Sequence, residues 1–208
     1  RGFYDILVSV AFCQFTREKR EKMLQYLIVC PLVFLAGFVD SIAGGGGLIS
    51  LPAYIIAGVP AHFAIGTNKM SSTLGTSVST WRYLKNGYLK GKNLIQTAVC
   101  ACLTALLGSY IGSSLSLLVS DNVIKHMMMV VLPIVAFYVL RNKNMGAETE
   151  QKKLSDKAVL LICITAALVI GMYDGFYGPG TGAFYLLVLT GAAHLNVYEA
   201  SAMTKVLN

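Results

Sequence analysis

Residues 94–120 contain no charged side chain and are rich in Leu and Ala. This run is longer than the roughly 20 residues that carry a helix across a ~30 Å hydrocarbon core. Three further stretches, residues 23–39, 127–140 and 158–173, have the same character. Charged residues make up 13% of the chain, about half the ~25% of a typical soluble domain. We therefore predict an all-α, polytopic bundle of transmembrane helices in a lipid bilayer.

Basic residues concentrate in three clusters, residues 17–22, 82–92 and 141–157, which hold 13 of the 17 Lys and Arg side chains. The net charge of +7 could suggest nucleic acid as a partner. However, apolar segments separate the clusters, as the positive-inside rule describes for cytoplasmic loops. We predict a multi-pass protein of the cell membrane with basic loops in the cytoplasm and no nucleic-acid partner.

The cysteines and the known catalytic motifs give no sign of enzyme chemistry. None of the Cys spacings matches CxxC or a zinc site, and no GxxxxGK[ST], HExxH or GxSxG sequence occurs. We predict a protein that is not an enzyme and has no metal or other cofactor. The five cysteines lie inside apolar stretches: Cys13, Cys30, Cys100, Cys102 and Cys163.

An internal repeat organises the chain. Gly37-x-x-Asp40 and Gly171-x-x-Asp174 are each followed by a glycine cluster, a short apolar run, a Gly and a His. Two such copies in a membrane chain are typical of secondary transporters. The expected organisation is an upstream or cytoplasmic segment 1–22, a first repeat 23–140, a cytoplasmic loop 141–157 and the start of a second repeat 158–208, with about 70 residues of that repeat expected to follow Asn208.

The charge pattern also predicts how the repeats are oriented. Residues 48–59 are too few to span the bilayer and are predicted to be re-entrant, and residues 61–85 to return to the cytoplasm. Each repeat then has an even number of crossings, which predicts parallel repeats with His62 and His194 both near the outer surface. A full crossing by residues 48–59 would instead make the repeats inverted.

Four ionisable residues fall at membrane depth: Asp40, Lys69, Asp174 and Lys205. Each costs about 2.5–3.5 kcal/mol at a helix centre on insertion scales, so a functional role is the default reading. The lysines are predicted to neutralise an anion. The aspartates are predicted to hold those lysines or to take up protons. A purely structural pairing of Asp40 with Lys69, and of Asp174 with Lys205, is the alternative.

The glycine clusters predict breaks in two helices at membrane depth. Such a break is tolerated where it is buried in protein or lines a wet cavity. The helix that follows each break directs free N–H groups and its positive end into the break, where an anion can bind. Close helix packing is the alternative role for the glycines, and residues 71–77 could serve packing or a polar pathway. The predicted substrate-binding residues are Gly44, Gly45, Gly46, Gly47, Thr67, Asn68, Lys69, Gly178, Gly180, Thr181, Thr204 and Lys205.

These motifs resemble the TauE/SafE sulfite exporter family of membrane permeases. The resemblance rests on the run from Gly37 to Gly47 leading to Leu51-Pro52, on Gly66-Thr67-Asn68-Lys69, and on Gly178-x-Gly180-Thr181-Gly182 with Thr204-Lys205. It implies a permease of the inner membrane of a prokaryote that exports small sulfur-containing or organic anions.

The predicted function is export of a small anion, such as sulfite or a sulfonate, by alternating access at the two glycine breaks. A membrane potential that is negative inside favours exit of a monovalent anion by about 2.3 kcal/mol per 100 mV. An anion channel using the same site is one alternative, and a membrane enzyme or assembly factor of sulfur metabolism is another. The sequence predicts no oligomeric state.

Overall fold

The computed structural model describes residues 23, 25–41, 45–89, 92–141 and 154–208. The described part of the chain is helical, and three of its helices are long and apolar enough to cross a membrane: Asn93–Leu117, Asp121–Tyr138 and Asp156–Phe176. This confirms the predicted all-α class, and the three long helices have the length and composition that a membrane protein requires. Segment 1–22, Gly44 and most of loop 141–157 lie outside the described residues. The helices are α1 (Gln25–Ser41), α2 (Gly47–Ile56), α3 (Ala61–Lys85), α4 (Lys92–Leu117), α5 (Asp121–Arg141), α6 (Asp156–Phe176), α7 (Thr181–Gly191) and α8 (Val197–Leu207).

Local sequence signals fix several helix ends. Ser155 caps α6 by accepting a hydrogen bond from the amide of Ala158, and Asn196 caps α8 by accepting one from the amide of Glu199. Both are residue types whose short polar side chains suit this position. Gly58, at φ +80°, turns the chain after α2, and α3 begins directly after Pro60. Gly58 and Pro60 thus separate α2 from α3, and Asn196 marks where α8 begins.

Helices α4 and α6 form the most extensive contact between helices in the described chain. They run parallel, since Asn93 hydrogen-bonds Asp156 at one end and Gly112 lies against Met172 and Phe176 near the other. A Cβ atom added to Gly112 would overlap the main-chain carbonyl of Met172, and one added to Gly175 would overlap that of Ser109. This backbone-to-backbone packing is what small residues four positions apart permit in membranes.

Helices α3 and α8 run antiparallel. The Thr80 hydroxyl donates to the main-chain carbonyl of Lys205 at 2.9 Å, and the Tyr88 ring stacks on that of Tyr198 at 5.5 Å between centroids. Since α3 and α8 carry the matched lysines Lys69 and Lys205, the two copies have opposite orientations. The prediction of parallel repeats is wrong.

The physical reason lies in the helix that follows the second break. Helix α7 turns back along α6, so that the Tyr185 hydroxyl reaches the carbonyl of Ala167. Helices α6 and α7 therefore form a hairpin, in which α6 begins and α7 ends at the same end of the bundle. That hairpin does not change sides, so α8 starts at the end of the bundle where α3 finishes.

The same reversal separates the two matched histidines. The His62 ring contacts the Val119 carbonyl at 2.9 Å, where α3 and α5 begin. His194 lies between α7 and α8, where its neighbours Ala193 and Leu195 pack in a cluster with Tyr83. The prediction that both histidines lie near the outer surface is wrong, because they occupy opposite ends of the bundle.

Candidate functional site

The two glycine breaks lie against each other. A Cβ atom added to Gly47, the first residue of α2, would lie 3.4 Å from the Cα atom of Pro179 and 3.3 Å from the Asn68 amide nitrogen. Gly180, which precedes α7, adopts a left-handed φ of +80°, a conformation that favours glycine. The starts of two short helices therefore meet in one region of the fold, at the polar face of α3.

Lys69 and Asp174 form an ion pair across this region, with 2.8 Å between Nζ and Oδ2. The other carboxylate oxygen of Asp174 accepts a hydrogen bond from the Thr181 hydroxyl at 2.9 Å. Gly178 lies directly beneath the pair at φ +92°, where a Cβ atom would come within 2.7 Å of Lys69 Nζ. The lysine of the first copy thus pairs with the aspartate of the second. The predicted pairing of Asp174 with Lys205 does not occur in this structure.

Lys205 is more deeply buried than Lys69, at 7% exposure. Its ammonium donates a hydrogen bond of 2.8 Å to the main-chain carbonyl of Asp40. Among the described residues, no carboxylate oxygen lies within 4.0 Å of this ammonium. The neighbouring Thr204 hydroxyl is buried and has no hydrogen-bond partner in the described part of the chain.

The Asp40 carboxylate faces the break rather than the lysines. Its Oδ1 atom accepts a hydrogen bond of 3.1 Å from the amide of Gly46, the residue that precedes α2. A carboxylate at this position satisfies an orphan donor and offsets the positive helix end. The Ser50 hydroxyl, one turn into α2, bonds the Asn68 side chain. In this conformation the start of α2 is therefore already capped by Asp40.

Two adjoining cavities open at the breaks. One, of about 290 Å³, is lined by the Lys69–Asp174 pair together with Gly178 and Gly180. The other, of about 90 Å³, lies between α1 and α3 and is lined by Lys205 and by hydroxyl side chains of α3. Four residues line both cavities and form the partition between them: Asp40, Gly47, Asn68 and Ser72.

Most of the predicted site residues come together here, with four exceptions, one of which is Gly45, which lines neither cavity. Thr67 is exposed and lines a separate hollow with His62. Thr204 is buried and lines neither cavity, and Gly44 is outside the described residues. The residues brought together are Gly46, Gly47, Asn68, Lys69, Gly178, Gly180, Thr181 and Lys205, with Asp40 and Asp174.

Sequence reasoning missed the polar residues that complete the lining. Ser50 bonds Asn68, and Ser109 of α4 lines the larger cavity. Ser72 belongs to the hydroxylated tract 71–77, whose sequence is compatible with packing and with a polar pathway, and the structure places it in the lining of both cavities. Within the described ranges, no three His, Cys, Asp or Glu side chains lie close enough to hold a metal ion.

Ionisable side chains at two helix breaks inside a helical membrane bundle are typical of polytopic transport proteins. The fold and the site place this chain in that class. The chain belongs to the TauE/SafE sulfite exporter family, whose profile matches residues 29–208. The resemblance drawn from the glycine and lysine motifs is therefore confirmed at the level of the family.

Several curated relatives carry names of membrane transporters. The chain is 36% identical over 186 residues to the probable membrane transporter protein ORF9 of a Sinorhizobium species, covering 89% of this chain and 68% of the relative. It is 32% identical over 189 residues to the probable membrane transporter protein YfcA of Escherichia coli K12, covering 89% and 68%. A probable membrane transporter protein of Haemophilus influenzae is 31% identical over 175 residues, covering 84% and 66%. The chain thus spans about two thirds of the length of these relatives. No solved structure matches the chain at a comparable level of significance.

Proposed function

We propose that the protein exports small anions, namely sulfite, sulfonates or related organosulfur and organic anions. The transport site is the region where the two glycine breaks meet. The observation that carries this proposal is the contact of Gly47 with Pro179 beside the buried side chain of Lys205. The starts of α2 and α7 add partial positive charge and amide donors to this region.

Alternating access fits the opposite orientation of α3 and α8. Inverted copies with discontinuous helices at membrane depth are one architecture in which a central site opens to either side in turn. In this proposal the Lys69–Asp174 pair links the copies, and Asp40 competes with the substrate for the amide of Gly46.

The charge distribution supports an orientation in the inner membrane of a prokaryote. Arg82 and Lys85 lie at the end of α3, and Arg141 ends α5. Lys157 lies in the first turn of α6, at the same end of the bundle. By the positive-inside rule this end faces the cytoplasm. The end with His62 and Asp121 then faces outward.

Counterflow in proteoliposomes tests this proposal and separates a carrier from a channel. Vesicles containing the full-length protein are loaded with unlabelled sulfite and given a trace of labelled sulfite outside, with valinomycin and equal K⁺ on both sides to hold the membrane potential at zero. A carrier accumulates the label transiently, because unlabelled internal sulfite occupies the inward-facing site and is carried out in place of the label. Label that only equilibrates, together with currents at channel turnover, would identify an anion channel. No anion-dependent flux in either assay would contradict both.

A further inference from the structure

The two lysines at matched positions of the repeat have different surroundings. Lys69 faces a carboxylate at 2.8 Å, whereas the ammonium of Lys205 contacts a main-chain carbonyl. A carbonyl accepts a hydrogen bond but carries no net charge, and an ammonium has three donors to satisfy. Within the described part of the chain, the charge of Lys69 is balanced by direct contact and that of Lys205 is not.

Burial raises the free-energy cost of leaving the Lys205 charge without a direct partner. Lys205 is 7% exposed, so water does little to solvate its charge, and a buried cation without a partner is costly. The Asp40 carboxylate lies near enough to act electrostatically on Lys205, but it makes no direct contact with the ammonium and is held by the amide of Gly46. The surroundings of Lys205 are therefore suited to a negative charge brought by a ligand.

A cavity of suitable chemistry adjoins Lys205. It measures about 90 Å³ and is also lined by the hydroxyl side chains of Ser71 and Ser72, whereas the Thr76 and Ser79 hydroxyls in its wall donate to main-chain carbonyls of α3. Hydroxyl groups donate well to the oxygens of an oxyanion. Since a cavity of about 150 Å³ accommodates benzene, one of about 90 Å³ suits a ligand of about four heavy atoms. Sulfite and acetate have this size.

We infer that Lys205 is the residue that neutralises the transported anion, and that the Lys69–Asp174 pair ties the two copies together without contacting it. The cavity between α1 and α3 is then the binding pocket and limits substrates to small oxyanions. This inference rests on the proposed function and assigns different roles to lysines that the repeat makes equivalent.

Binding to the purified full-length protein in detergent tests this division directly. Titration calorimetry with sulfite, acetate and benzenesulfonate is carried out on the unmodified protein, on Lys205→Met, on Lys205→Arg and on the double variant Lys69→Met/Asp174→Asn. We expect Lys205→Met to raise the Kd for sulfite at least tenfold and Lys205→Arg to raise it less. The double variant is expected to raise it at most threefold, and benzenesulfonate to bind at least tenfold more weakly than sulfite.

Folding is checked by size-exclusion profile and thermal unfolding. If the double variant does not fold, Lys69→Arg, which can keep its partner Asp174, replaces it with the same expected Kd. A Lys205→Met protein that is folded and binds sulfite within twofold of the unmodified protein would overturn the inference while leaving the proposed function standing. An unmodified protein that binds none of the three anions would overturn both.

Discussion

Lys69 of α3 and Asp174 of α6 form an ion pair of 2.8 Å, although each belongs to a different copy of the repeat. The pair crosses the point where the two helix breaks meet, and the Thr181 hydroxyl at the start of α7 supports it. Both side chains are largely buried, at 30% and 20% exposure. One contact thus joins a long helix, a broken helix and the short helix after the break.

Removing one partner of this pair is expected to destabilise the protein more than removing both. Lys69→Met leaves the partly buried Asp174 carboxylate without its cation, and Asp174→Asn leaves the Lys69 ammonium without its anion. Either loss costs about 1.5–3 kcal/mol. The double variant should recover part of that loss, as coupled residues do. Apparent melting temperatures in detergent give the order of the four proteins. Lys85→Met, an exposed lysine at the end of the same helix, serves as the control. Strictly additive losses would contradict the coupling.

Gly178→Ala is expected to disrupt the site beyond the strain of its backbone. Gly178 and Gly58 both have a positive φ, +92° and +80°, but only at Gly178 would a Cβ atom meet the Lys69 ammonium. Gly58→Ala should cost about 1–2 kcal/mol from the left-handed conformation. Gly178→Ala should cost at least about 1 kcal/mol more, since it also displaces the ion pair. Melting temperatures that are equal for the two variants would contradict the placement of Gly178 under the pair.

Gly112→Ala is expected to loosen the contact between α4 and α6. The added methyl group would overlap the carbonyl of Met172, and overpacking of this kind typically costs 1–3 kcal/mol. Gly66→Ala is the matched control, since Gly66 lies in helix α3 with nothing within 4 Å of its added Cβ atom. That control should be neutral or slightly stabilising, because alanine favours helix over glycine by up to about 1 kcal/mol. Size-exclusion yield and melting temperature measure both. An unaffected Gly112→Ala protein would rule out the close packing.

The opposite orientation of the two copies predicts opposite sidedness for two turns. Ser120 lies between α4 and α5, and Ala192 lies just after α7; both are exposed. In a variant whose native cysteines are replaced, Ser120→Cys and Ala192→Cys are treated with a membrane-impermeant maleimide in intact cells. We expect only Ser120→Cys to react, and Ala192→Cys to react after permeabilisation. Labelling of both from the same side would restore the parallel arrangement.

The helices could be predicted from sequence because hydropathy and turn residues act locally. Helix α3 was expected at residues 61–85, and the structure places it at Ala61–Lys85, between Pro60 and the turn at Gly87. The site region was also predictable in outline. Charged residues and glycine clusters are costly at membrane depth, so their positions in the sequence already point to one polar region.

The relation between the copies could not be predicted in the same way. A short apolar run after a glycine cluster has the same sequence signature whether the chain continues across the bilayer or folds back. The direction of α7 is set instead by its packing on α6. The cross-copy partner of Lys69 follows from that direction and not from any local pattern. The contact between α4 and α6 did have a signal, since Gly108 and Gly112 face Gly171 and Gly175 at matching four-residue spacings.

The most direct test of anion transport is charge movement by the full-length protein on a solid-supported membrane. Sulfite, methanesulfonate, sulfate, acetate and chloride are applied in turn, with Lys205→Met as the paired variant. We expect a saturable signal for the small oxyanions that disappears in Lys205→Met. A correctly inserted, folded protein that gives no saturable signal for any of these anions would contradict the account.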